Sequence, residues 1–226
     1  MKVKLISHSQ TPKVAVPQDA LDLVAYCARV SNPDNQNNKE TSAGLVKYLM
    51  KHKHWSPLEM VSVCLEVETT RDIARQLIRH RSFSFQEFSQ RYADPVKELE
   101  MVPREARLQD TKNRQNSIAI DPADESQRRI AEDWRMKQMT HIRQTEELYN
   151  WAISKGIAKE QARAVLPEGN TVSRLYVNGT LRSWIHYIEL RGANGTQLEH
   201  IELAHAVADS IAQIFPLAVE FKNKTL

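Results

Sequence analysis

Hydrophobic positions along this chain change period several times, and each change marks an element. Residues 61–68 alternate: Val61, Val63, Leu65 and Val67 fall on one face, Ser62, Cys64, Glu66 and Glu68 on the other. That alternation predicts a half-buried strand. Residues 2–8 predict a first strand, and 171–178, rich in β-branched and aromatic side chains, a later one. Elsewhere the apolar positions recur at helical spacing. Helices are predicted over 17–30, with Leu21, Leu23, Val24 and Cys27 inward, and over 41–52, with Leu45, Tyr48 and Leu49 inward. Pro17, Gln18 and Asp19 open the first with a fixed φ and an acid in its first turn. Further helices are predicted over 71–79, capped by Thr69 or Thr70, and over 157–166, 181–191 and 197–214. The longest takes Asp121 as N-cap and Pro122 as first residue, and stops at Gly156. Its interrupted stripe of Ile130, Trp134, Met139, Ile142, Leu148 and Trp151 suits packing on the same chain or on another subunit.

Polar stretches separate these elements. Residues 31–38 read as a loop, and 93–120 as irregular, with room for a short strand at 100–102. Residues 107–117 are the most disorder-like stretch, open to reading as a mobile flap or as a plain surface loop. Residues 79–92 read as a loop where the 71–79 helix runs out, and loops at helix ends gather binding groups. No repeat appears. The sum is one α+β domain over residues 1–226.

Composition narrows the class. With 226 residues, 41% hydrophobic and 26% charged, the chain has the make-up of a soluble domain with a sizeable core. A net charge of +3 is too small to imply a nucleic-acid partner by itself. No apolar run is long enough to span a bilayer, and residues 1–8 lack the apolar core of a signal peptide; the expected compartment is the cytoplasm. Cys27 and Cys64 form no CxxC pair and stand in no metal-ligand spacing. No metal site is expected, since His52 and His54 flank Lys53, and His200 and His205 do not share a helix face well.

The densest chemistry lies in residues 79–92, which read RHRSFSFQEFSQRY. Three guanidinium groups, one imidazole, one carboxylate and three serine hydroxyls fall within that run. Arginine offers a planar fork of donors that matches phosphate and carboxylate oxygens. Arg71, Arg75 and Arg79 recur four apart on the preceding helix, where like charges repel. Glu87 can balance one of them, and a polyanionic ligand can balance more. Three readings fit that much: a nucleotide site, a basic helix docking nucleic-acid phosphates, and a structural network of ion pairs. No GxGxxG follows a strand, no GxxxxGK precedes Ser or Thr, and there is no HExxH or GxSxG. With six glycines, a nucleotide has to be held chiefly by side chains.

The run closely resembles the RHRxxSxNExSxRY signature of the flavin-dependent thymidylate synthases, with Gln86 where the family more often has Asn. The resemblance covers nearly the whole chain. His54 to Glu59 resembles the family's H-x-S/T-P-x-E segment, Ala74 to Arg81 its A-R-Q-x-x-R-H-R helix, Ala162 to Pro167 its A-R-x-x-L-P, and Leu181 to Arg191 its L-R-S…E-L-R helix. Gly195 stands where several members have His.

The resemblance implies an α+β fold with a central, mostly antiparallel sheet and long helices. It implies a homotetramer with active sites built from several subunits, and reductive methylation of deoxyuridine monophosphate (dUMP). The carbon comes from 5,10-methylenetetrahydrofolate, the hydride from FAD reduced by NADPH, and no enzyme cysteine serves as nucleophile. Matched by position, Gln76, Arg79, Glu87, Ser89, Arg91, Arg163 and Arg191 contact dUMP. Arg191 pairs with the uracil ring and stabilises charge developing there. Ser89 is a positioning or polarising group, since no base for a nucleophile is evident nearby. His54, Ser56, Glu59, Arg79, His80, Arg81, Gln86 and His186 match flavin-lining positions. His186 fits either a flavin or folate contact or plain packing beside Trp184 and Tyr187. Neither membrane nor nucleic acid is implied as a partner.

Overall fold

The computed structural model describes residues 1–12, 17 and 19–222. It mixes helices with an antiparallel sheet, as the α+β expectation requires. A four-stranded sheet runs in the order β1 (Lys2–His8), β2 (Ser62–Thr70), β6 (Val172–Thr180), β3 (Ser84–Glu87). The alternation in β2 holds: Val61, Val63, Leu65 and Val67 are fully buried, and the residues between them are half-buried.

The chain divides into two compact units. One comprises Met1, residues 68–79 and 87–175; the other comprises 2–67, 80–86 and 176–226. The first holds α3 (Arg71–Leu77), α4 (Pro95–Glu98), α5 (Glu125–Ser154) and α6 (Lys159–Ala162). Its core closes where Tyr149 and Ala152 of α5 meet Ala162 and Leu166. The second holds α1 (Ala20–Ala28), α2 (Ser42–Lys51), α7 (Leu181–Arg191) and α8 (Leu198–Ala212). There α1 packs on α2, α7 on α8, and α8 on β1. Trp184, buried at its centre, donates its indole N–H to the Val63 carbonyl at 3.0 Å, so the largest core side chain leaves no polar atom unpaired.

Several expectations need correction. The loop predicted after α3 contains β3, because Phe83 and Phe85 alternate with Ser84 and Gln86 and so can pair with a sheet edge. The disorder-like stretch is an antiparallel hairpin, β4 (Arg107–Gln109) with β5 (Ser117–Ala119), closed by backbone bonds that composition does not reveal. The longest helix starts at Glu125, since Asp124, not Asp121, caps Ser126 and Gln127 through its carboxylate. Asp19 likewise is the N-cap of α1, accepting from the Asp22 N–H, so the first-turn acid is Asp22; Gln18 lies outside the described residues. Residues 157–166 split into α6 and a 3₁₀ turn, Arg163–Val165. The strand near 100–102 reduces to one bridge, Met101 with Thr171. Tyr48 is exposed, and of the α5 stripe only Ile142 is buried.

Candidate active site

Each unit carries a cluster of charged groups built from the residues singled out above. In the first, α3 places Arg71 and Arg75 on one face, one turn apart. Both point at Glu87: Arg71 Nη1 lies 3.3 Å from Oε1 and Arg75 Nη1 3.1 Å from Oε2. Ser173 Oγ donates to the same carboxylate at 2.9 Å. Glu168 stands farther off, 3.7 Å from Arg71 and 3.8 Å from Arg75. Burial pulls the Arg71 pKa down, Glu87 pushes it back up, and Arg75 and Arg163 pull it down again. Arg71 and Arg75 therefore share two carboxylates, with the Arg163 charge near enough to act on Arg71. The surplus positive charge favours an added anion.

Other predicted groups in this unit are more open. Arg91 is exposed and 3.3 Å from Glu160, an exposed pair of the kind that contributes little and yields readily. Ser89 Oγ accepts from the Arg91 N–H at 3.4 Å, which makes it part of a turn. Arg79 is exposed and Gln76 half-buried. The expectation that Glu87 balances one arginine falls short, because it takes two and a serine. Arg71 is nine-tenths buried, so its guanidinium does not belong to an open basic face of α3.

The second unit carries a different kind of cluster. Arg191 closes α7, and its Nε donates to His80 Nε2 at 2.9 Å. The His80 pKa is lowered to about 4, chiefly by burial and then by Arg191, so the ring is neutral at pH 7 and its Nε2 is free to accept. Tyr187 lies one turn before Arg191 on α7 and meets the His80 ring edge-on, with centroids 5.1 Å apart. Its hydroxyl is 3.1 Å from Nε2 of His200, a fully buried imidazole, whose pKa burial lowers to about 3. Among the described residues no carboxylate lies within ion-pair distance of Arg191. Its charge is met by neutral rings alone.

The segment 54–59 completes this unit's candidates. His54 and Ser56 are exposed, and Trp55 between them meets the His186 ring edge-on at 4.6 Å. His186 therefore contacts Trp55 rather than packing beside Trp184 and Tyr187 as one reading had it. Burial and Arg182, one turn earlier on α7, lower the His186 pKa. Arg182 also pairs with Glu59. Gln86 and Arg81 are exposed, and among the described residues the Arg81 side chain has no ion-pair partner, nor does that of Arg79. Within this unit the unpaired Arg81 guanidinium, the Ser56 hydroxyl and the imidazoles are donors of the kind that suit an aromatic cofactor carrying phosphate. Gly179 lets the Phe83 ring lie against its backbone; an added Cβ would come within 2.3 Å of that ring.

Sequence reasoning missed Ser173, Glu168, Tyr187 and Arg182. The last two were findable, each being four residues from a predicted site residue on α7. Among the described residues no group of His, Cys, Asp and Glu could hold a metal ion, and no helix is long and apolar enough to cross a membrane.

Comparison with known proteins adds an independent line. Residues 6–217 match the family model described as thymidylate synthase complementing protein. A probable flavin-dependent thymidylate synthase of Paramecium bursaria Chlorella virus 1 is 50% identical over 216 residues, 96% of each chain. The flavin-dependent thymidylate synthase of a Synechocystis species is 45% identical over 219 residues, again 96% of each. A crystal structure of the UMP/dUMP methylase PolB from Streptomyces cacaoi, bound with 5-Br dUMP, superposes with a TM-score of 0.76 at 26% identity, covering 97% of this chain and 93% of that one.

Proposed function

The chain belongs to the thymidylate synthase complementing protein family, the flavin-dependent thymidylate synthases, and on that premise we propose that it converts dUMP to thymidine monophosphate. The carbon donor is 5,10-methylenetetrahydrofolate, and the bound flavin is FAD, which NADPH reduces and which supplies hydride. The whole chain serves as one synthase domain, working in the cytoplasm.

The observation that carries this reading is Arg191. A guanidinium held by a neutral imidazole keeps its full charge available for a ligand. Held rigid on the end of α7, it can pair with the uracil edge and stabilise negative charge developing on the ring, with no reorganisation at the moment of reaction. Arg91 and Arg163 bind the nucleotide phosphate, with Arg79, Gln76 and Ser89 positioning the rest. Glu87 acts on the nucleotide mainly by holding Arg71 and Arg75. His54, Ser56, Glu59, Arg79, His80, Arg81, Gln86 and His186 line the flavin. Burial pushes the thiols of both Cys27 and Cys64 up, so each is protonated at neutral pH, consistent with a reaction that uses no cysteine nucleophile. Exposed Ile130, Trp134, Leu148 and Trp151 on α5 support a homotetramer.

The test is direct. Purified protein should bind FAD, show a flavin spectrum that dUMP perturbs, and form thymidine monophosphate only with reductant and methylenetetrahydrofolate present. A colourless protein that neither binds FAD nor makes product rules the reading out.

A further inference from the structure

Beneath Arg191 the second unit buries two polar side chains to which the proposed chemistry gives no task, Tyr187 and His200. The Tyr187 hydroxyl and His200 Nε2 lie 3.1 Å apart, a hydrogen bond that stands with either tautomer of the ring. A phenylalanine and a leucine fill much the same space without desolvating a hydroxyl and an imidazole. Replacing both partners of a buried bond by apolar groups of similar shape is close to neutral or stabilising. What the polar pair adds is direction, because a hydrogen bond holds its partners to one distance and angle where apolar contact does not.

A short series of contacts carries that direction to Arg191. Trp184, Tyr187, Ile188 and Arg191 share one stripe of α7, at spacings of three and four, so the Tyr187 ring lies one turn below the guanidinium. The ring meets His80 edge-on at 5.1 Å and Phe83 edge-on at 6.0 Å. His80 Nε2 in turn accepts from Arg191 Nε at 2.9 Å. The imidazole is therefore pinned between the Tyr187 ring on one side and the Arg191 bond on the other. The Arg191 charge is felt along the whole series, for it lowers the pKa of both His80 and His200. With no carboxylate in reach among the described residues, the place of the guanidinium is set by His80, and the place of His80 by Tyr187.

We propose that Tyr187 and His200 are positioning residues for Arg191, acting through the His80 ring. The inference rests on the synthase reading above and deepens its account of Arg191. The hydroxyl of Tyr187, tied to α8 by His200, fixes the tilt of the ring against His80. The tilt fixes where Nε2 presents its lone pair, and the lone pair fixes where the guanidinium points. A cation that stabilises charge developing on a pyrimidine has to be in place before the charge appears. Neither residue touches substrate or flavin.

The experiment uses the FAD-loaded enzyme at saturating FAD and methylenetetrahydrofolate. Tyr187→Phe should lower kcat by about tenfold while KM for dUMP stays within about twofold, the split expected when orientation rather than binding is lost. His200→Leu should behave alike. His200→Gln, whose amide can still meet the hydroxyl, should recover to within about threefold of native. The double variant Tyr187→Phe/His200→Leu should melt at or above the native temperature, since neither polar group is left unpaired, yet keep the loss of rate. A readout independent of turnover is the Arg191 Nε–H, identified by NMR through its absence in Arg191→Lys. Its exchange with water should quicken by about tenfold in Tyr187→Phe. A native kcat in Tyr187→Phe overturns the proposal. So does a double variant whose rate recovers along with its stability, which would make the pair a packing element, or a loss confined to FAD affinity. If the native enzyme forms no thymidine monophosphate, the synthase reading falls. The exchange measurement then decides the link to Arg191 by itself, and an unchanged rate of exchange rejects it.

Discussion

Two arginine clusters in this protein solve opposite problems. Arg71 and Arg75 are held by Glu87 and Glu168, so most of their charge is offset within the chain. Arg191 is held by His80, a ring kept neutral by burial, and its charge is not offset. The first arrangement fixes a helix and a strand end and leaves only a surplus for a ligand. The second keeps a cation fully charged, oriented and ready. A count of arginines cannot tell these apart; the identity of the partner can. Here two carboxylates offset Arg71 and Arg75, whereas the neutral imidazole leaves the charge of Arg191 uncompensated.

The largest effect should come from removing the uncompensated cation. Arg191→Ala is expected to lower kcat by about 10²–10³, the range for losing one stabilising group at a developing charge. Its melting temperature should stay within a few degrees of native. If product forms at the native rate, the contrast between the clusters has no functional meaning.

Removing the carboxylate of the other cluster should reverse the balance of damage. Glu87→Gln leaves the buried Arg71 facing Arg75 and Arg163 with only the more distant Glu168 as counter-charge. The expected loss is about 3 kcal/mol of stability, readable by urea unfolding, because breaking a buried pair is costly. A loss no greater than that of an exposed pair would show that Glu87 is dispensable to this cluster.

Packing under the Arg191 cluster gives a third test. Phe83 is buried against Trp184 and Tyr187 and cannot retreat from a new Cβ at Gly179. Gly179→Ala should cost about 1–3 kcal/mol by overpacking and weaken FAD binding through residues 80–86. A variant as stable as native would mean that the ring has room to move.

Smaller effects follow from protonation. The folded-state pKa of His80 is about 4 and that of His200 about 3, against an ordinary 6.5. Between these values the unfolded chain binds more protons than the folded one. The stability tied to neutral rings is therefore complete above pH 6.5 and is lost as pH falls toward 4. Melting temperature should drop across that window, and His200→Leu should flatten the slope. The Arg191–His80 contact should not titrate between pH 6 and 8, so the rate should show no limb near 6.5 from this ring. The least effect is expected at Arg91→Ala, where only an exposed pair is lost: stability within about 0.5 kcal/mol of native and a several-fold rise in KM for dUMP.

Much of the frame was legible without coordinates. The period-two run at 61–68 named a strand, and the faces it implied are those observed. Helix α7 matched its predicted limits, because a capping Thr180 and the Gly192 that follows bracket an apolar stripe. Strand β3 and the 107–119 hairpin were not legible, because each is short and depends on a partner far along the chain or on backbone bonds alone. The stripe on α5 showed that apolar residues recur, yet most of them are exposed, since period does not say what, if anything, covers a face.

The site divides in the same way. Local order along the chain determined which residue types gather in 79–92 and that they resemble one enzyme family. Tertiary structure alone decided the partners: that Glu87 takes Arg71, Arg75 and Ser173, and that Arg191 rests on a desolvated His80 backed by Tyr187 and His200. The reason is physical. A side chain's charge and reach are set by its own covalent structure, but its solvation and its counter-charge are set by residues brought near it only when the chain folds.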